Sequence, residues 1–132
     1  MIHLCYKKYE WKITEGAHKY FTDKTGLDLL TVFGDYIKAS FETEGVNLIT
    51  RMQIYSHLYT REIVNYALHS IIAAVNPDVE LKEIEDSTFR VSWQLSDRPD
   101  DLSEPWSVVM YNTALEINEY MNKNLPKKKA DI

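Results

Sequence analysis

The sequence predicts a mainly α-helical fold: a compact bundle of about four to six helices with a short N-terminal β-strand or hairpin. Three observations lead there. Apolar residues recur at spacings of three and four through most of the chain. Helix-capping and helix-stopping residues sit where those periodic runs begin and end. The length of 132 residues, with 45% hydrophobic residues including nine Tyr, four Phe and three Trp, supplies one ordinary domain with a substantial core. The expected organisation is one globular domain over 1–125 and a basic tail over 126–132.

The opening pieces Ile2 to Tyr6 and Tyr9 to Ile13 partly alternate between apolar and polar. Tyr9, Trp11 and Ile13 fall on one side of a strand. With Lys7 and Lys8 between them, a hairpin is expected, which needs helices to lean on. A helix then starts at Thr14, whose hydroxyl suits an N-cap, and stops at Gly26, which accepts the left-handed conformation. Leu27, Leu30, Phe33, Ile37 and Phe41 form the next helical stripe, widened by Val32 and Tyr36.

From Val46 to Val75 apolar residues cover more than a stripe, so this segment belongs centrally, as one long helix or two joined near Thr60. Asn76 and Pro77 end it and could open a short acidic helix carrying Val79, Leu81 and Ile84. Phe89, Val91, Trp93 and Leu95 alternate with polar residues, so an extra strand near 89–95 is expected. A helical turn begun at Ser87 is the alternative, since Phe89 and Trp93 are four apart. Ser96 to Pro105 reads as a loop. A final helix runs from about Pro105 to Asn122, and Lys127 to Ile132 reads as a solvated tail.

The formal charge of −5 argues against a protein that coats a phosphate backbone. Asp78 to Glu104 holds nine acids against Lys82, Arg90 and Arg98, whereas Val46 to Pro77 has only Arg51, Arg61 and Glu62. The acidic segment reads as a solvated face or a surface for a basic partner. No apolar run approaches the ~20 residues of a membrane span, and no signal peptide is evident. Cytoplasmic placement is the expectation.

Residues that carry chemistry are scattered. Gly16, Gly26, Gly34 and Gly45 open no nucleotide motif. His3, His18, His57 and His69 are widely spaced, although His57 and His69 could share one face of an unbroken helix. No metal set can be composed from them, and Cys5 reads as a small buried residue. The carboxylate pairs Glu83 with Glu85 and Asp100 with Asp101 lack the burial that separates pKa values for acid–base work. No cofactor is expected. Two other readings stay open: a DNA-binding regulator, and a small enzyme with dispersed active-site residues.

The surplus is aromatic. Tyr55, Tyr59, Tyr66, Tyr111 and Tyr120 lie at helical spacings, and Trp93 and Trp106 flank the acidic loop. Such side chains are used in cores and enriched at interfaces. Tyr55, Tyr59, Tyr66, Trp93 and Trp106 are the candidate protein-binding residues.

The stretch Tyr9-Glu10-Trp11-Lys12-Ile13-Thr14-Glu15-Gly16-Ala17-His18-Lys19-Tyr20-Phe21-Thr22-Asp23-Lys24-Thr25-Gly26-Leu27-Asp28-Leu29 resembles the tail assembly chaperones of long-tailed bacteriophages and prophages. The later elements are similar in order too: an apolar and aromatic helix like Leu48 to Val75, then an Asn-Pro-Asp break with an acidic segment. The likeness covers roughly the first two thirds of the chain; Phe89 to Asn122 matches less clearly. It implies a non-enzymatic escort of the tape measure protein, possible contact with the tail tube protein, and possible self-association. It further implies action in the bacterial cytoplasm, absence from the mature virion, and no catalytic residues.

Overall fold

In a computed structural model, residues 1–4, 7–97 and 106–124 are described. Two strands, β1 (Ile2–Leu4) and β2 (Lys7–Tyr9), precede six helices. These are α1 (Glu15–Thr25), α2 (Leu29–Glu42), α3 (Leu48–Leu58), α4 (Arg61–Ala73), α5 (Leu81–Asp97) and α6 (Trp106–Asn124). The expected helical bundle with an N-terminal hairpin is therefore the fold.

Local chemistry explains most boundaries. Thr14, Asp28, Asn47 and Thr60 each place a side-chain oxygen on an amide three residues ahead, capping α1 to α4. Gly26 ends α1 at φ 75°, with its N–H donating to the Thr22 carbonyl at 2.8 Å. The central segment is thus two helices, broken where Tyr59 and Thr60 are extended and Thr60 restarts the next turn.

Packing centres on α4, whose Val64, Ala67, Leu68, Ile71 and Ile72 are fully buried. Around it lie Phe21 of α1, Ile84 of α5, and Met110, Ala114 and Ile117 of α6. Helix α6 packs most extensively on α2 and also touches α3, α4, α5 and β1. Polar bonds also cross this interior: the Thr88 hydroxyl donates to Asn65 Oδ1 at 2.6 Å, tying α5 to α4.

Four expectations change. The pairing register is Ile2 with Tyr9, His3 with Lys8 and Leu4 with Lys7. Lys7 and Lys8 therefore belong to β2, and the chain from Glu10 to Thr14 runs outside the sheet. The strand near 89–95 is instead the second half of α5. Its alternation coincides with a helical spacing, and the helix arriving from Leu81 continues through it; the one sheet described is the hairpin. No helix starts at Asn76, because its side-chain amide donates to the carbonyls of Glu10 and Ile72, both at 3.1 Å. Residues 76–79 form a turn closed by Val79 N–H on the Asn76 carbonyl at 3.0 Å. Finally, α2 buries Leu29, Val32, Phe33, Tyr36 and Ala39, leaving Leu30 and Phe41 of the expected stripe exposed.

Candidate functional site

The candidate tyrosines turn inward. Tyr55 is 3% exposed and stacks on Tyr111, with ring centroids 4.8 Å apart, while its hydroxyl meets that of Thr43 at 3.1 Å. Tyr59 is half-buried against Tyr36, and its hydroxyl donates to Asp35 Oδ2. Tyr66 packs edge-on to Tyr20 at 6.4 Å. Burial takes Tyr55 off any surface in this conformation, and the three tyrosines join helices to one another. Trp93 lies in α5 and Trp106 opens α6. Cys5, positions 98–105 of the loop expected from Ser96 to Pro105, and the tail expected over 126–132 lie outside the described residues, while Ser96 and Asp97 end α5 rather than open that loop.

An apolar groove forms where the chain between β2 and α1 crosses the ends of α4 and α6. Its walls are Met1, Glu10, Trp11, Lys12, Val75, Glu116 and Tyr120, around about 420 Å³. The crossing segment is pinned on both sides. Lys12 N–H donates to the Ile71 carbonyl at 3.0 Å, and Asn76 holds the Glu10 carbonyl. The Trp11 indole donates to Glu116 Oε1 at 2.7 Å and meets the Tyr120 ring edge-on at 5.6 Å. The Met1 ammonium donates to the same Glu116 oxygen. Burial alone pushes the Glu116 carboxyl up. Hydrogen bonds from Met1 and Trp11, with the charges of the Met1 amine and His3, outweigh it and hold the pKa below its usual value. On this braced frame Met1, Val75 and Tyr120 are 51%, 42% and 44% exposed.

No protein-family model, no curated protein and no solved structure matches this chain. The site is therefore read from its own chemistry.

Two other clefts are built differently. One of about 440 Å³ is lined by Lys7, Tyr9, Asp78, Glu80, Lys82, Glu83, Asp86 and Ser87. There Glu83 accepts from the Tyr9 hydroxyl and from Lys7 Nζ at 3.3 Å. The bond from Tyr9, then that from Lys7, holds the Glu83 pKa below its usual value despite burial, so this group stays ionised rather than serving as an acid. A smaller cleft of about 320 Å³ between α1 and α4 has small walls at Gly16, Ala17, Ala73 and Ala74. On one wall His69 Nε2 donates to the Val79 carbonyl at 2.7 Å, and its Nδ1 is hydrogen-bonded to the Tyr20 hydroxyl at 2.9 Å. This chain of bonds ties α1, α4 and the turn before α5. His57 is exposed on α3, and the break at Thr60 ends the shared face considered for the two histidines.

Among the described residues no group of three or more His, Cys, Asp or Glu could hold a metal ion, and no helix is long and apolar enough to cross a membrane. Sequence reasoning missed the groove. It placed Trp11 beside Tyr9 and Ile13, Val75 in the central helix and Tyr120 on the face of α6. The signal for their convergence is tertiary: the Asn76 amide reaches back across the chain to Glu10.

Proposed function

We propose that this protein binds another protein without chemical turnover, and that the groove of Trp11, Val75 and Tyr120 receives an apolar helical segment of the partner. The observation that carries this reading is the placement of half-exposed Met1, Val75 and Tyr120 around a Trp11 ring fixed by Glu116. Aromatic side chains held rigid on one edge and wet on the other lose little entropy when covered, which suits them as anchors. An amphipathic helix can lay its apolar face into such a groove.

The partner that fits best is the tape measure protein of a long-tailed bacteriophage, with the tail tube protein as a second contact. This choice rests on the resemblance of the segment from Tyr9 to Leu29 to tail assembly chaperones. A long helical protein with exposed apolar stripes aggregates unless they are covered before assembly. A small acidic helical protein, formally −5, covers them while keeping the complex soluble.

Co-expression with a tape measure protein of a long-tailed bacteriophage tests the reading. Capture is expected for the wild-type chain and a loss of at least about tenfold for Val75→Asp and Tyr120→Asp, with unchanged helical circular dichroism. Undiminished capture by both folded variants removes the groove from the interface; no capture by the wild-type chain removes the partner.

A further inference from the structure

Helix α3 is seated differently from its neighbours. Its main contacts are α2 and α6, whereas the central α4 meets α1, α5 and α6. The helical ladder stops on both sides of it. Gly45 turns the incoming chain at φ 84°, a conformation that favours glycine, and Tyr59 and Thr60 leave in extended backbone. Two joints thus bracket one helix.

Hydroxyls and rings take part in holding α3 down. Thr43 Oγ1 donates its one proton to the Ala39 carbonyl at 2.8 Å, so at 3.1 Å it accepts from the Tyr55 hydroxyl. Tyr55 also stacks on Tyr111 of α6, and Tyr59 donates to Asp35 of α2. A hydrogen bond made in the fold contributes little over the same bond made to water, so these latches open at modest cost. Two buried groups work against them. Arg51 Nε on α3 and the Tyr36 hydroxyl on α2 have no hydrogen-bond partner among the described residues. Both belong to this contact: Arg51 lies against Tyr55, and the Tyr36 ring against Tyr59. A buried donor without an acceptor costs more than a made bond contributes, and water would satisfy both groups.

We propose that α3 is a hinged flap. With the rest of the domain folded, residues 47–59 lift from α2 and α6 about the joints at Gly45 and Tyr59–Thr60. Lifting hydrates Arg51 and Tyr36 and uncovers the rings of Tyr55 and Tyr111, an aromatic surface hidden while the flap is down. Helix α4 has no such freedom, because Val64, Ala67, Leu68, Ile71 and Ile72 are all at 0% exposure and parting them opens the whole core. The flap is also separate from the groove at Trp11. Tyr111 and Tyr120 are nine residues apart on α6, which sets them about 14 Å apart along the helix axis.

Native-state hydrogen exchange on the full chain, read residue by residue at neutral pH in rising urea, tests this. The amides to compare are 52–58 of α3 and 65–73 of α4, which have helical partners. Those of α3 are expected to be at least about a hundredfold less protected and to depend less steeply on urea, the mark of an opening that exposes part of the molecule. Tyr36→Phe removes one of the two unpartnered groups and should raise the protection of 52–58 about fivefold. Protection of the two helices equal to within about tenfold, or one shared urea dependence, overturns the proposal, because α3 then opens only when the whole molecule does. Unchanged or lower protection of 52–58 in Tyr36→Phe overturns it as well, because the buried hydroxyl then does not favour lifting. Neither measurement involves a partner, so both stand apart from the outcome of the capture experiment at the groove.

Discussion

Tyr36 and Tyr59 lie with ring centroids 6.1 Å apart, yet their hydroxyls contribute in opposite directions. The Tyr59 hydroxyl donates to Asp35, and its pKa is pushed up to about 12, first by burial and then by the Asp35 carboxylate. The Tyr36 hydroxyl is fully buried and has no hydrogen-bond partner among the described residues; burial pushes its pKa up further. A buried unpaired hydroxyl costs about 1–3 kcal/mol, whereas a made bond contributes about 1 kcal/mol net. Tyr36→Phe should therefore stabilise the protein by about 1 kcal/mol and Tyr59→Phe should destabilise it by a similar amount. Urea unfolding at neutral pH measures both, and a loss of stability in Tyr36→Phe would show that its hydroxyl is satisfied after all. These two residues also mark what the sequence could reveal at this scale. Spacing placed Tyr55, Tyr59 and Tyr66 on helical faces, but it cannot say which face looks inward. Tyr55 faces the core at 3% exposure, while Tyr120, read as part of the face of α6, stands 44% exposed beside Trp11.

Elements whose ends are set by neighbouring residues were legible; those set by distant contacts were not. Thr14 and Gly26 bound α1 as their chemistry predicts, because capping and left-handed termination act within one turn. The onset of α5 was misplaced because Asn76 spends its amide on Glu10, a contact no local window contains. The second half of α5 was misread because Phe89, Val91, Trp93 and Leu95 satisfy a strand period over seven residues, while the helix they continue begins eight residues earlier. Thr60 is the most exposed test of local control. It separates α3 from α4 with one cap, its hydroxyl accepting from Ile63 N–H at 3.3 Å. Thr60→Ala should lower unfolding free energy by about 1 kcal/mol while leaving the helical signal intact. A change below ~0.2 kcal/mol would mean that packing of α3 on α2 and α6, rather than the cap, fixes the break.

At the scale of the molecule, three carboxylates fasten at the surface elements that also meet in the apolar core. Asp28 accepts from His18 Nε2 at 2.6 Å and caps α2 through Thr31, joining α1 to α2. Glu83 holds β2 to α5 through Tyr9 and Lys7. Glu116 holds the N-terminal segment to α6 through Met1 and Trp11. All three pKa values lie below their usual range. For Asp28 the His18 and Thr31 bonds are the cause; for Glu83 the Tyr9 and Lys7 bonds outweigh burial; for Glu116 the Met1 and Trp11 bonds do so. Linkage sets the sign. A carboxyl depressed in the folded state binds fewer protons there than in the unfolded chain, so its stabilisation is complete above the ordinary value near 4 and fades as pH falls below it. The urea midpoint should therefore hold steady from about pH 7 to 5 and drop towards pH 3. Glu116→Gln should start lower at neutral pH and converge on the wild type in acid, because protonation removes from the wild type what the substitution has already removed. Since Glu116 also braces Trp11, the fluorescence of that region should change over the same acid range in the wild type and be flat in the variant. Parallel curves for the two proteins down to pH 3 would mean that the groove is held by packing alone, leaving Trp11 as a wall of the core rather than a positioned anchor.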